Sequence, residues 1–233
     1  MKPLSAIILI CLLSIRHSSA FAQIQVQPTI GGSYCYTRHE NISSNIEPVF
    51  KTNGGILVSI PVAPNLQLRS GAFFMQTGFN SQYSERSVRA STNYLVQNTA
   101  NYLSIPLLLS YNAYNKNDFQ YWIDAGLNYN FFVSGQSHFV ITDYLNDVQQ
   151  STNTFDHSIK GPLIRTYTDP TEGRDDYTGL DISFRLQLRM VWAKHYTAGI
   201  FWDNGLYSIL ADPVDASYIS MHNFGVSVGY IIF

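Results

Sequence analysis

Between residues 179 and 192 every second residue is apolar. Leu180, Ile182, Phe184, Leu186, Leu188, Met190 and Trp192 alternate with Gly179, Asp181, Ser183, Arg185, Gln187, Arg189 and Val191. Successive side chains of a β-strand point to opposite faces. The segment therefore predicts one long strand with a wholly apolar face and an opposite face carrying three charges. The pattern recurs, and eight strands are predicted over about residues 26–36, 54–61, 66–79, 101–112, 119–132, 179–192, 195–207 and 223–233. In the fourth, Leu103, Ile105, Leu107, Leu109 and Tyr111 share a face. In the fifth, Phe119, Tyr121, Ile123, Ala125, Leu127, Tyr129 and Phe131 lie opposite Gln120, Asp124, Asn128 and Asn130. The third is mixed in phase around Phe73 and Phe74. No segment has useful helical periodicity, and none past the first residues is an eighteen-residue apolar run.

The connections alternate in length. Those over about 62–65, 113–118 and 193–195 are short and rich in turn residues, whereas 37–53, 80–100, 133–176 and 208–222 are long. An up-and-down meander puts all the short turns at one end and all the long loops at the other. This is the organisation of outer-membrane barrels. A tilted strand of about nine to eleven residues crosses the hydrocarbon layer. Only a closed sheet satisfies its backbone there. The predicted fold is thus all-β, an eight-stranded antiparallel up-and-down transmembrane β-barrel.

With the apolar faces against lipid, the charged faces enclose a lumen. An outward charge at the midplane would cost roughly 2–4 kcal/mol, which decides the phase. The expected lumen network comprises Arg69, Asp124, Asp181, Arg185, Arg189 and Asp203. If Trp192 and Tyr196 face each other across the tight turn, Arg185 falls opposite Asp203, and the two are expected to pair. Eight strands leave an interior that side chains fill, so no open pore is expected. A soluble lipocalin-like calyx has the same alternation with the faces reversed. Aromatic residues near strand ends, among them Tyr34, Tyr111, Trp192, Tyr196 and Tyr207, favour the membrane reading, because such rings sit at the headgroup level.

Composition agrees with this picture. Only 13% of residues are charged, 14% are aromatic, and mean hydropathy is −0.04, as alternating strands require. Residues 1–22 read as a signal peptide: Lys2, an apolar stretch over 4–15, then Ala20-Phe21-Ala22 before the expected cut. The barrel would occupy 23–233. Loss of Lys2 and Arg16 takes the formal charge from −2 to −4, and no basic patch points to nucleic acid. Cys35 is then the lone cysteine, which excludes an internal disulfide or a cysteine zinc site.

Five segments carry a resemblance: "NYLSIPLLLSYN" (101–112), "FQYWIDAGLNYNFFVSG" (119–135), "LQLRSGAFFMQTGF" (66–79), "DNGLYSIL" (203–210) and "HNFGVSVGYIIF" (222–233). In these the chain resembles the PorT-like outer-membrane β-barrel proteins of Bacteroidota, related in architecture to the small OmpX and OmpA barrels. Phe233 resembles the C-terminal aromatic assembly signal of such proteins. The chain departs from that signal in phase, since Phe224, Val226, Val228, Tyr230 and Ile232 alternate against it. Pro106 is expected at a bulge or kink, because it lacks a ladder donor.

Chemical motifs are sparse. There is no phosphate loop, no His-Glu-x-x-His and no Gly-x-Ser-x-Gly. His39, His138, His157, His195 and His222 lack metal-ligand spacing. Asp156, His157 and Ser158 are adjacent and point apart, so they form no ready triad. Asn41-Ile42-Ser43 is a chance glycosylation acceptor. No catalytic residue, cofactor or metal is assigned, and no enzyme is expected. The expectation is a bacterial outer-membrane protein that does structural or surface-interaction work through its long loops, above all 133–176. Its expected partners are outer-membrane lipid, the barrel-assembly machinery, periplasmic chaperones and a surface or secretion-complex protein. The alternatives are a PorT-like accessory role in secretion and a small-solute channel.

Overall fold

The computed structural model describes residues 24–40, 45–87, 89–159, 178–209 and 218–232. The expected signal peptide, Asn41-Ile42-Ser43 and Phe233 lie outside these. The described residues form nine strands: β1 (Gln25–Glu40), β2 (Asn45–Ala63), β3 (Leu66–Arg86), β4 (Ala90–Lys116), β5 (Phe119–Leu145), β6 (Val148–Ile159), β7 (Leu180–Trp192), β8 (Tyr196–Gly205) and β9 (Tyr218–Tyr230). Every pairing is antiparallel. Eight strands close a ring in the order β1-β2-β3-β4-β5-β7-β8-β9, with β9 returning to β1. Among the described residues β6 pairs only with β5.

The ring has the predicted eight strands, and the ninth corrects the sequence reading. The segment 133–176 is not all loop. Strand β5 runs on to Leu145, turns at Asn146-Asp147 and returns as β6. Both turn residues have positive φ, 50° and 62°, which suits a two-residue hairpin loop, and Asn and Asp tolerate that conformation. Likewise 80–100 is mostly strand, since β3 reaches Arg86 and β4 begins at Ala90.

Two bulges hid these extensions. The β4–β5 register shifts between Asn101 and Tyr102, where Val133 is the extra residue on β5. The inward positions of β5 therefore change from even to odd there, and a strict alternation is lost. The β2–β3 register shifts between Pro48 and Asn53, so the unbroken alternation of β2 starts only at Gly54. Pro106 is a further correction. It pairs with Asn128 in unbroken register on the β5 side, and on the β3 side the ladder skips it without a shift. Its missing donor thus interrupts a ladder and makes no bulge.

The apolar faces point out of the ring. Leu107, Leu188, Val226 and Val228 are each about half exposed, while Arg69, Asp124 and Asp203 are at most 1% exposed. A calyx in water would show the reverse. Water-exposed apolar area this extensive marks a surface that something apolar covers. Near the short turns, aromatic rings meet in series across β5, β7, β8 and β9: Phe119–Trp192 at 6.5 Å, Trp192–Tyr196 at 5.6 Å and Tyr196–Tyr230 at 5.5 Å. Towards the opposite end Tyr34 meets Phe50 at 5.5 Å.

Candidate functional site

Two places carry the side chains and surfaces that can act: the interior of the ring and the sheet that continues past it. The inward face of β5 gives the interior in order, as Trp122, Asp124, Gly126, Asn128, Asn130 and Phe132. Apolar residues lie at both ends and ionic or amide groups between.

All six residues of the expected lumen network lie inside and are buried: Arg69, Asp124, Asp181, Arg185, Arg189 and Asp203. They form three groups rather than one. Arg69 on β3 and Arg189 on β7 both donate to Asp124; Arg189 does so from Nε at 3.1 Å. Arg69 is further held by Ser59 at 3.2 Å and by Gln27 at 3.0 Å, and Gln27 donates on to Thr197. Arg185 and Asp203 form the second group, with hydrogen bonds of 2.6 and 2.7 Å, and Asn128 donates to the same carboxylate at 3.1 Å. Arg185 stacks over Phe201 at 4.6 Å, and Arg189 over Trp122 at 5.2 Å. Such contacts satisfy charges that would otherwise be buried at high cost. Asp181 stands apart. It accepts from Asn130 at 3.1 Å and has no arginine partner among the described residues.

The sequence reading assigned only charged residues to the lumen, and the structure adds apolar layers on both sides of them. Below the ionic layer Trp122, Val191 and Ile231 form an apolar floor. Above it Met75, Phe79, Ala100, Tyr102, Phe132, Ile159, Ile209, Ile219 and Met221 form an apolar cap, with Ile46 against it. Phe73 and Met75 point inward and Phe74 outward, which settles the mixed phase of the third predicted strand. An alternation signal cannot show these layers, because apolar inward residues break it. Cys35 is also buried.

The second place begins at the Val133 bulge. Below it β5 pairs with β7 up to Phe131, and from Gly135 its neighbour is β6. The upper parts of β3, β4, β5 and β6 thus form one sheet continuing past β7 and β8. Gly135 to Leu145 alone adds roughly 34 Å of strand at about 3.4 Å per residue. The face continuous with the interior carries two stacked ring pairs, Tyr83–Tyr94 at 4.5 Å and Phe139–Phe155 at 4.7 Å. On that face Asp143 accepts from Thr92 at 2.9 Å and Ser151 at 2.8 Å, and these hydroxyls hold its carboxyl below the usual range. The other face is polar and carries an exposed His138–Asp156 contact of 2.6 Å. Nearly every residue of β6 is exposed. The sequence did signal this hairpin: "DYLNDVQQ" places Asn-Asp between two strand-like runs.

Among the described residues no three His, Cys, Asp or Glu side chains form a metal-binding group. A ring with apolar residues outside, paired charges inside and aromatic residues towards its rims has the architecture of a membrane-spanning bacterial protein. The family comparison agrees. Residues 19–198 match the model of the outer membrane protein beta-barrel domain, and the chain belongs to that family. Its place is the bacterial outer membrane. No curated protein matches the chain.

Solved structures that the chain is similar to include Ail, the attachment invasion locus protein of Yersinia pestis. Identity is 10%, the coverage is 89% of this chain and 98% of that one, and the TM-score is 0.41. A second structure of Ail, in complex with the heparin analogue sucrose octasulfate, has 11% identity, covers 90% and 99%, and gives 0.39. The N-terminal β-barrel domain of Pseudomonas aeruginosa OprF has 10% identity, covers 89% and 99%, and gives 0.28.

Proposed function

We propose that this outer-membrane protein is a surface-interaction module in which a filled ring anchors a projecting four-stranded sheet. One observation carries the reading: β6 leaves the ring, pairs only with β5 among the described residues, and is exposed along almost its whole length. Short turns in such proteins face the periplasm and long connections face outward, so the sheet would stand at the cell surface. A strand at the edge of a sheet is where another strand can add. Strand β6 contains no proline or lysine to blunt that edge. The occupant is an extended protein segment. The filled interior, with its floor and cap, speaks against the channel alternative. The reading includes no chemical step and no cofactor. Lipid, the assembly machinery and periplasmic chaperones are partners in biogenesis.

The test is a shortened hairpin. Residues 139–155 are replaced by Asn-Gly, which joins β5 to β6 near the base of the projecting part. The variant is expected to keep heat-modifiable gel mobility, the mark of an intact barrel, and to lose adhesion of expressing cells to protein-coated surfaces. Equal adhesion by both forms would overturn the proposal. The resemblance to PorT-like proteins supports a rival reading, an accessory role in secretion. Co-purification of an intact secretion complex in mild detergent, unaffected by shortening, would favour it.

A further inference from the structure

We infer that the interior binds one hard monovalent cation of sodium size at Asp181, Asn130 and Asn128, immediately beneath the apolar cap. The argument starts from charge placement. Three arginines and three aspartates are buried in the ring, yet they are unevenly matched. Asp124 takes two guanidiniums, Asp203 takes one, and Asp181 takes none among the described residues. Asp181 is only 5% exposed. A buried carboxylate without a cation is strongly disfavoured.

The neighbouring groups point the same way. Asn130 is the register partner of Asp181, and Asn128 is that of Ser183, so all four side chains share one patch of the inner wall. Asn130 commits its amide hydrogens to Asp181 and Ser183, and Asn128 commits one to Asp203. Three oxygens remain with no hydrogen-bond partner among the described residues: Oδ1 of Asp181, of Asn130 and of Asn128. Asn128 and Asn130 are at most 1% exposed. All three are acceptors and none can donate to another. A single proton on Asp181 would join its oxygen to one of the two amide oxygens and leave the other unpartnered. A single cation seated among them would take all three as ligands and would neutralise the carboxylate. Oxygen-only ligation with one formal charge matches a hard monovalent ion. Calcium sites use more carboxylates.

The test uses the full chain refolded in detergent. Thermal unfolding is compared in sodium chloride and in choline chloride at equal ionic strength. Saturable binding to the folded state predicts a midpoint rising by about 3–6 °C per tenfold increase in sodium above the dissociation constant. Choline should give no such rise. Asp181→Asn should abolish the sodium dependence while keeping heat-modifiable mobility. Crystals soaked in thallium(I), a heavy monovalent mimic, should show an anomalous peak beside Asp181. Identical midpoints in the two salts would overturn the inference, as would a sodium response that survives in Asp181→Asn. An absent thallium peak would also overturn it, leaving a protonated carboxyl bridged by water. If Asp181→Asn does not fold, the salt comparison and the thallium soak on the unaltered chain decide.

Discussion

Arg185 on β7 and Asp203 on β8 are register partners, and the guanidinium grips the carboxylate through Nε at 2.6 Å and Nη2 at 2.7 Å. The two-point geometry fixes both side chains, and both are buried. Removing one partner leaves the other charge buried and alone, at roughly 3–5 kcal/mol. Asp203→Ala is therefore expected to destabilise the refolded protein by about that much in urea unfolding. Arg185→Met should do the same. The double variant Arg185→Met/Asp203→Leu should be more stable than either single one, because no orphan charge remains. If the double variant instead loses the sum of the two single losses, the pair is not coupled as described.

The ring and its phase were legible in the sequence because the bilayer leaves little choice. Each residue of "LDISFRLQLRMVW" (180–192) must face lipid or lumen, so the register of Arg185 and Asp203 follows from a tight turn and a period of two. What was hidden had physical reasons. The bulge at Val133 swaps the inward positions of β5, and a reader who follows strict alternation stops at Phe132. Above the bulge most residues on both faces of the sheet are part-exposed or exposed, so lipid no longer imposes a pattern on residues such as His138 and Thr142. The cap and floor were illegible for a different reason. Phe73 beside Phe74 and Phe131 beside Phe132 are apolar on both faces, and hydrophobicity alone does not say which ring points in. The imbalance around Asp181 required the pairing partners of every buried charge, which no single strand displays.

The cap makes its own prediction. Phe132 is fully buried and meets the Tyr102 ring edge-on at 5.6 Å. Phe132→Ala removes contacts that the closed wall cannot replace, and large-to-small changes of this kind cost about 3–5 kcal/mol. Its neighbour Phe131 faces outward and is half-buried. There lipid fills the space, so Phe131→Ala should cost clearly less. Equal losses in unfolding experiments would mean that the interior is not packed as the structure shows. The same packing predicts no steady conductance from the unaltered protein in planar bilayers, where an open channel would give stable current steps.

Asp143 ties the projecting hairpin to its neighbour strand. The hydroxyls of Ser151 on β6 and Thr92 on β4 donate to it, and they lower its pKa in the folded state. A depressed carboxylate pKa contributes stability above the unfolded value, near 4, that is lost as pH falls through the folded value. Local opening of the β5–β6 hairpin should therefore increase only in acid, below about pH 4. Amide hydrogen exchange at residues 139–155 is the readout. Asp143→Asn should open the hairpin slightly at neutral pH and flatten the acid dependence. Exchange that rises with acid to the same extent in Asp143→Asn would place the cause elsewhere.

The turn between β7 and β8 carries strain that the sequence did not need. His195 donates its backbone N–H to the carbonyl of Trp192 at 3.2 Å, which closes a four-residue turn with Ala193 and Lys194 at its centre. Both central residues have positive φ, 50° and 65°. A four-residue turn whose two central residues both lie in this region favours Asn-Gly at its centre. A residue with a Cβ pays about 1–2 kcal/mol in that region, and glycine does not. Glycine also gives up more freedom on folding, so the net gain is smaller. Lys194→Gly is expected to raise stability by about 0.5–1 kcal/mol. Ala193→Asn should add to it, since Asn tolerates the left-handed region and keeps the backbone N–H that Ala193 donates to Asp118 at 2.9 Å. Unfolding of the two single variants and their combination in urea measures this. A loss of stability in Lys194→Gly would mean that the Lys194 side chain does more for the turn than its backbone costs.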